Sequence, residues 1–279
     1  MRTISLFLLL LISFLAKSQD DIRKVNSTDN KEWILKSIAT DQAHLWTSPL
    51  RMKKKDFLIV LPILTLTAAS IVYDEQIYCN FKKFQKNNRW VGNVSPIVSY
   101  MGGKKALIGV STLLLAGGVV FEKEKTKRTA LMSYQTLIHT GIVVQIMKHI
   151  SGRQRPNVEN GTDKWNGPLV LFKDYSNSFS RYSSFPSGHT IMAWGFATVI
   201  SEQYKEHHTW VPYICYTLAS AAGLSRITEG SHWFSDVIIG SSMGYAIGRY
   251  ITRKHRHTNW TLLPSFSSNK TTASLIYQF

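Results

Sequence analysis

Three short segments between residues 148 and 236 carry side chains suited to binding and attacking a tetrahedral anion. They are Lys-His-Ile-Ser-Gly-Arg-Gln-Arg-Pro at 148–156, Pro-Ser-Gly-His at 186–189, and Ser-Arg-Ile-Thr-Glu-Gly-Ser-His-Trp-Phe-Ser-Asp at 225–236. Each segment supplies a cation, a histidine or both, and each lies at the edge of an apolar run. Brought together, they would form an oxyanion pocket with two histidines beside it, which indicates phosphoryl-transfer chemistry.

The candidate phosphate-binding residues are three cations and two smaller donors. Phosphoryl transfer requires neutralisation of the charge on three equatorial oxygens. The planar forks of Arg155 and Arg226 match phosphate, and Lys148 adds a point charge. Ser187 can donate its hydroxyl, and the N–H of Gly188 is accessible because no side chain shields it. Because these last two residues open an apolar segment, a helix N-terminus is also expected to face the anion.

The candidate catalytic residues are His232, Asp236 and His189. The first two are spaced i, i+4, so on a helix the carboxylate can hold one ring nitrogen and leave the other free as nucleophile. The resulting phosphohistidine would be hydrolysed by water. His189 would protonate the leaving group and later accept a proton from the attacking water. No carboxylate pair or Cys/His cluster has metal-ligand spacing, so the predicted reaction uses no metal and no other cofactor.

Composition and charge predict that this chemistry takes place next to a membrane. The 279 residues are 44% hydrophobic and carry a formal net charge of +16. The apolar runs 57–73 and 106–121 contain no charged side chain, which is typical of a multi-span membrane protein. Basic residues cluster at the ends of apolar runs, at 51–55, 123–128 and 253–256. This placement favours contact with anionic lipid headgroups over binding to nucleic acid.

Six apolar segments are predicted to be core transmembrane helices, which gives an all-α integral membrane bundle. They are residues 57–73, 106–121, 129–147, 190–201, 210–224 and 237–250. The last three are short for a bilayer core of about 30 Å and are expected to extend into the motif residues. The sixth carries Gly240, Gly244 and Gly248, a spacing that lets helix backbones approach closely. Long polar loops are expected at 74–105 and 148–186.

The two ends of the chain are predicted to lie outside this bundle. Residues 1–18 resemble a secretory signal peptide, with Arg2, an apolar stretch and a small-residue cleavage site. An uncleaved anchor fits the same pattern, although the apolar stretch is short for a span. Residues 19–56 are expected to form a polar, interfacial segment. The membrane domain is assigned to residues 57–251, and the tail at 252–279 is expected to be a strand or disordered.

The sidedness of the bundle involves a conflict between two rules. The positive-inside rule places the basic loops on the cytoplasmic side, so that all three motifs face outward. A cleaved signal peptide would reverse that parity. We favour motifs that face the periplasm or exterior of a bacterial inner membrane.

The three segments resemble the signature of the type 2 phosphatidic acid phosphatase superfamily. Six residues separate Lys148 from Arg155, five separate Arg226 from His232, and three separate His232 from Asp236. Each of these spacings matches the signature, and the resemblance extends over the six apolar segments. It implies a six-span bundle, metal-independent acid-phosphatase chemistry on lipid phosphates or diphosphates, and an extracytoplasmic active site.

The resemblance also implies a role for each motif residue. In that family, the residues that match His232, His189 and Asp236 act as nucleophile, acid and orienting partner. The residues that bind phosphate there match Lys148, Arg155, Ser187, Gly188 and Arg226.

Three functions fit these patterns. The leading prediction is a membrane phosphatase that acts on a lipid phosphate or diphosphate, with substrate and oligomeric state left open. A vanadate-dependent haloperoxidase has a similar pocket, but those enzymes are largely soluble. A non-catalytic lipid-binding or anion-binding membrane protein would not need both histidines. Arg153, Arg181 and Lys173 have weaker claims, since they could recruit an anionic headgroup or simply be solvated.

Overall fold

The computed structural model describes residues 27–158, 162–168, 170–173, 175–255, 259–267 and 270–278, so the predicted signal segment lies outside the described residues. Its helices are α1 (Ser27–Thr47), α2 (Lys54–Asn87), α3 (Arg89–Met101), α4 (Lys104–Val120), α5 (Glu124–Ser151), α6 (Val170–Lys173), α7 (Tyr175–Tyr182), α8 (Gly188–Tyr204), α9 (Val211–Thr228) and α10 (Phe234–Lys254). A 3-10 turn at Ser48–Arg51 follows α1, and two strands follow α10, β1 (Asn259–Ser267) and β2 (Lys270–Gln278).

Helix α8 is central to the larger of two compact units, which comprises residues 44–253. It packs with α5 and α10 around a cluster of buried aliphatic side chains, namely Met132, Val143, Val144, Ile191, Val199, Ile247 and Ile251. A second face of α8 meets α9 through small side chains, Ala193, Ala197, Ala219 and Ala222. Because these four side chains are short, the two helices lie close together.

The glycines of α10 have the role that their spacing predicts. A Cβ atom at Gly244 would lie 2.4 Å from the carbonyl oxygen of Ile191, and one at Gly248 would lie 2.5 Å from that of Gly195. No side chain fits at such distances, so glycine is what allows the backbones of α8 and α10 to approach. The prediction of close helix packing at this stripe is confirmed.

The prediction of a long polar loop at 74–105 is wrong. Helix α2 continues to Asn87, and α3 occupies most of the remaining segment. Residues such as Lys82, Lys83 and Gln85 are good helix formers, so a helix can continue past its apolar part into polar sequence. Polarity alone does not distinguish such an exposed helix from a loop. The second expected loop, at 148–186, contains the short helices α6 and α7.

All six predicted apolar segments are helical, but their number as membrane spans stays a prediction. Among the described residues, α2 is long and apolar enough to cross a membrane. Helices α3 and α4 pass the same test only as a pair, and this pair is bent by 52°.

The remaining described residues, 27–43 and 254–278, belong to the second unit. Strands β1 and β2 pair antiparallel, with Asn259 opposite Gln278. The all-α prediction therefore holds for the described residues up to 255. In the tail, the strand alternative is the one that the structure has.

Candidate active site

The three motifs lie at the ends of packed helices in the larger unit. Lys148 is in the last turn of α5, and Arg226 is in the last turn of α9. Ser187 is the N-cap of α8, and Asp236 is in the first turn of α10. His232 lies in the short connection between α9 and α10. Helix packing therefore fixes the position of each motif.

Gly152 ends α5 and redirects the chain into the first motif. Its φ angle is +52°, in the left-handed region that favours glycine. A Cβ atom there would lie 2.2 Å from the carbonyl oxygen of Gly167. Arg153 and Arg155 follow this turn directly. The left-handed conformation of Gly152 therefore determines the position of both arginines.

A second left-handed glycine ends α9. Gly230 has a φ angle of +69°. The N–H groups of Ser231 and His232 then donate to the carbonyl oxygen of Arg226, at 3.0 and 3.2 Å. These two hydrogen bonds close the end of α9 and hold Arg226 and His232 in the same turn.

His232 has one ring nitrogen tied and the other free. It is buried, with 1% of its surface exposed, and its Nδ1 lies 2.6 Å from the carbonyl oxygen of Ser184. Because a carbonyl can only accept, Nδ1 carries the proton and Nε2 has its lone pair available. Burial lowers the pKa of His232 to about 3, although the nearby Asp236 carboxylate acts in the opposite direction. The imidazole is therefore neutral at physiological pH, as a nucleophile requires.

His232 and Asp236 lie close together, as their spacing predicts, but not on one helix. Helix α10 begins at Phe234, so His232 precedes the helix and the i, i+4 relation does not place the two side chains in direct hydrogen-bond contact. The distance from Nδ1 to Oδ2 of Asp236 is 3.7 Å. That oxygen instead accepts from the hydroxyl of Ser184 at 2.6 Å and from the backbone N–H of Trp233 at 2.9 Å. Asp236 thus reaches the histidine mainly through Ser184.

The three predicted phosphate-binding cations are close enough for their charges to act on one another. Lys148 and Arg226 are buried. A Nη2 proton of Arg155 is donated to the hydroxyl of Ser183 at 2.9 Å. Burial and the charge of Arg226 lower the pKa of Arg155. Such crowding of positive charges is costly unless an anion lies among them.

Two N–H donors of this cluster have no acceptor. The Nε atoms of Arg155 and Arg226 are buried and have no hydrogen-bond partner among the described residues. Nη1 of Arg226, by contrast, donates to Glu229 and to Ser99. Since buried donors are normally paired, an anion that offers oxygens to both Nε atoms fits this cluster.

His189 faces the same cations as His232. The charges of Lys148 and Arg155 act on both imidazoles, and Arg226 acts on His189 as well. The Nε2 atom of His189 would lie 3.3 Å from a Cβ atom added at Gly103, so the residue that precedes α4 bounds the site next to His189. The two predicted catalytic histidines thus flank one group of cations.

The start of α8 offers further donors. Ser187 is buried, and its hydroxyl oxygen accepts from the hydroxyl of Thr190 at 2.8 Å, which leaves its own proton to donate. The backbone N–H of Ser187 donates to the carbonyl oxygen of Asp236. The N–H of Gly188 belongs to the first helical turn and has no acceptor within the helix. A Cβ atom at Gly188 would lie 3.8 Å from Nζ of Lys148, which shows how near this backbone is to the cations.

Arg153 is a residue whose role the sequence did not reveal. It was expected to be solvated or to recruit a headgroup, but it is completely buried and forms ion pairs with Asp74, Asp163 and Asp236. The sequence does indicate that Asp74 has a partner. Asp74 directly follows a charge-free apolar run, and an ionisable residue in such a place is usually paired. The partner itself could not be identified because it lies 79 positions away.

The described residues contain no group of three His, Cys, Asp or Glu side chains arranged to hold a metal ion. The three aspartates that converge here surround the guanidinium of Arg153 instead. The positive charge predicted to bind an anion is that of Lys148, Arg155 and Arg226.

Comparison with known proteins relates the segment that carries the three motifs to one family. Residues 130–260 match the sequence profile of the PAP2 superfamily. This segment, slightly less than half of the chain, is similar to the PAP2 superfamily. The resemblance seen in the three motifs is thereby confirmed, and the match includes every predicted site residue.

Individual relatives match shorter stretches of the chain. The chain is 41% identical over 66 residues to a lipid A 1-phosphatase of Porphyromonas gingivalis, which is 24% of this chain and 15% of that protein. It is 35% identical over 91 residues to an acid phosphatase of Zymomonas mobilis, 33% of this chain and 31% of that protein. The matched segments therefore span less than a third of these relatives.

A solved PAP2 structure supports the fold. The transmembrane PAP2 type phosphatidylglycerolphosphate phosphatase of Bacillus subtilis superposes with a TM-score of 0.55, at 22% identity. The superposition covers 73% of this chain and 97% of that one. The helical arrangement described above is therefore shared with a PAP2 phosphatase.

Proposed function

We propose that this protein is a membrane phosphatase that hydrolyses a lipid phosphate or diphosphate through a phosphohistidine on His232. One observation carries the proposal: a buried imidazole with Nδ1 tied to Ser184 lies beside a cluster of three cations that has two unpartnered donors. This combination provides a nucleophile and a binding site for the group that it attacks.

In the first step, Nε2 of His232 attacks phosphorus and the bond from phosphorus to the leaving oxygen breaks. Lys148, Arg155 and Arg226 neutralise the charge on the equatorial oxygens, and the first turn of α8 adds N–H donors. Protonated His189 gives its proton to the leaving oxygen, so the lipid leaves as an alcohol or a monophosphate.

In the second step, water attacks the phosphohistidine while His189 accepts its proton. The bond from phosphorus to Nε2 breaks, and inorganic phosphate leaves with the histidine pair restored. The cations of the pocket come from side chains, so the proposed route needs no metal ion.

The surface of the larger unit supports a location in a membrane. Apolar side chains of α2 and α9 are strongly exposed, for example Leu58 at 79% and Tyr213 at 76%. Inside, α5 buries hydroxyl side chains completely, namely Thr129, Ser133, Thr136 and Thr140. An apolar exterior of this extent marks a surface that contacts lipid or another protein. A site at helix ends would let an amphiphile present its headgroup while its tails stay in lipid.

The substrate class rests on the names of relatives. Lipid A 1-phosphatases and a phosphatidylglycerolphosphate phosphatase occur among the similar proteins. We therefore place phosphorylated lipid A and phosphatidylglycerophosphate in the first panel of candidate substrates, beside phosphatidate and undecaprenyl diphosphate.

The decisive experiment measures phosphate release from this panel by purified protein in EDTA. We expect release from at least one lipid, and loss of that release in His232→Ala but not in His149→Ala, which changes a histidine at the end of α5. Release from no lipid would count against a phosphatase. Phosphate binding without turnover would favour an anion-binding protein, and vanadate-dependent bromide oxidation would favour a haloperoxidase.

The proposed orientation, with the site on the periplasmic face of the inner membrane, has its own test. A cysteine introduced at the exposed Asn177, with Cys79 and Cys215 replaced by serine, should react with a membrane-impermeant maleimide in intact cells. Labelling only after cell disruption would reverse the orientation.

A further inference from the structure

Arg153 has no donor left with which to bind a substrate. Its Nε and Nη2 atoms donate to the two oxygens of Asp163, at 2.9 and 2.6 Å, and Nη2 also donates to Asp74 at 2.7 Å. Its Nη1 atom donates to the hydroxyl of Ser235 at 2.7 Å and to Asp236 at 2.6 Å. A guanidinium has five N–H donors, and all five are used.

Arg153 differs from the three cations of the pocket because all of its N–H donors are already used by protein acceptors. Arg155 and Arg226 each keep an unpartnered Nε, whereas Arg153 is satisfied entirely by protein. Although burial acts to lower it, the charges of Asp236 and Asp163 raise the pKa of Arg153 above its usual value. Arg153 is therefore a structural cation next to the site, with no free N–H donor to offer a phosphate.

We propose that Arg153 is a positioning residue that fixes the Asp236 carboxylate and, through it, sets the orientation and charge state of the nucleophile His232. This inference rests on the proposed function. It assigns to Arg153 an effect on the chemical step and none on the binding of the phosphoryl group.

The physical route runs through one carboxylate and one serine. Nη1 of Arg153 holds Oδ1 of Asp236, which fixes the rotation of the carboxylate. Oδ2 then accepts from the hydroxyl of Ser184 and the N–H of Trp233. The carbonyl of the same serine holds Nδ1 of His232. A shift of the guanidinium would therefore displace the group that sets the imidazole tautomer.

The carboxylates around Arg153 come from three different parts of the fold. Asp74 lies on α2, Asp163 lies in the loop after α5, and Asp236 lies on α10. One cation shared by three anions leaves the group net negative. Removal of the cation and removal of the outer Asp163 must therefore change the field at His232 in opposite directions.

Replacement of the cation is the first test. In Arg153→Met, we expect kcat to fall by about tenfold to a hundredfold, because a small displacement of a reacting group is sufficient for such a loss. KM should stay within about twofold, since no substrate contact is removed.

The charged groups that face His232 are Asp236 on α10, Lys148 on α5 and Arg155 beyond it. Without Arg153, the Asp236 charge is uncompensated, so the acid limb of kcat/KM should move up by about one pH unit.

Asp163→Asn is the second variant, and it preserves the buried core because this side chain is partly exposed. It removes a negative charge and leaves Arg153 more strongly paired with Asp236. The acid limb should then move to lower pH. Arg153→Lys keeps the positive charge but loses the planar guanidinium. We therefore expect kcat to fall while the acid limb of kcat/KM stays near its position in the unmodified protein.

The matched control is Arg181→Lys, which changes an exposed arginine of α7 and keeps its positive charge. Equal pH profiles in all variants, or a rise in KM with unchanged kcat, would overturn the proposal. So would shifts of the same sign in Arg153→Met and Asp163→Asn.

A readout that does not depend on turnover separates this proposal from the proposed function. The His232 imidazole can be titrated by NMR in 15N-histidine-labelled protein, with His232→Gln for assignment. If the unmodified protein releases no phosphate from any lipid, the proposed function fails. The opposite shifts of the imidazole titration in the two variants still support or refute the role of Arg153.

Discussion

The backbone carbonyl oxygen of Ser184 lies 2.6 Å from Nδ1 of His232 and accepts its proton. This bond, and not a direct contact with Asp236, sets the tautomer of the imidazole. Ser184 also lies just before the segment that carries His189, so one stretch of backbone positions both histidines. The hydroxyl of Ser184 adds the link to Asp236 at 2.6 Å.

The first prediction separates the hydroxyl of Ser184 from its carbonyl. Ser184→Ala keeps the bond to Nδ1 but removes the donor to Asp236, so kcat should fall by about tenfold, consistent with one lost orienting hydrogen bond. Steady-state phosphate release measures the change. Ser180→Ala is the control, because its hydroxyl bonds only locally to Asn177. An unchanged kcat in Ser184→Ala would mean that the carbonyl alone orients His232.

The second prediction concerns acid stability. The pKa of His232 is about 3 in the folded protein and 6.5 in the reference state. Between these pH values the unfolded chain binds a proton that the folded chain excludes, so stability falls as the pH decreases, by at most about 1.4 kcal/mol per pH unit. His232→Gln should lose less thermal stability over this range than the unmodified protein. Melting temperatures in detergent measure it, and equal pH slopes would contradict it.

Several features of the site follow from sequence because they depend on spacing along one helix end. Lys148, Arg226 and Ser187 lie where the edges of apolar runs indicate, since those edges are the ends of packed helices. The close approach at Gly244 and Gly248 follows from a repeat within one helix. Local periodicity is sufficient for inferences of this kind.

Other features depend on partners distant in the chain. The pairing of Arg153 with Asp74 joins the segment after α5 to α2 through buried charges, and no local pattern specifies it. The bond between Ser184 and His232 involves a backbone carbonyl, which any residue possesses. Helix α10 starts at Phe234, after His232, and the i, i+4 spacing of His232 and Asp236 does not reveal this boundary.

The third prediction concerns competition for Arg226. Its Nη1 donates to Glu229, whose side chain is 25% exposed, so a bound phosphate must compete with this carboxylate. Glu229→Gln should lower KM by about twofold to fivefold, the range expected for a partly exposed ion pair. Inorganic phosphate should also inhibit the variant more strongly.

Glu202→Gln is the control for this effect. Glu202 forms an ion pair of the same i, i+3 spacing with Lys205, and neither residue belongs to the motifs. If KM rises in Glu229→Gln, the carboxylate supports Arg226 in its binding position and does not compete with substrate.

The fourth prediction concerns the space around His189. A Cβ atom at Gly103 would lie 3.3 Å from Nε2 of His189 and 3.1 Å from the carbonyl oxygen of Tyr100. Since the backbone oxygen cannot move easily, the imidazole must shift. Gly103→Ala should therefore reduce kcat by about tenfold or more for an alkyl phosphate, whose leaving group needs the proton.

The control for this prediction is Gly109→Ala in α4, the helix that Gly103 precedes, where an added Cβ atom meets nothing within 4 Å. It should leave kcat unchanged and add up to about 1 kcal/mol of stability, as alanine does in a helix interior. p-Nitrophenyl phosphate has a leaving group that needs little protonation, so Gly103→Ala should lose much less activity on it than on an alkyl phosphate. An equal loss on both substrates would mean that the added methyl group disturbs phosphate binding, and the assignment of His189 as the acid would lose this support.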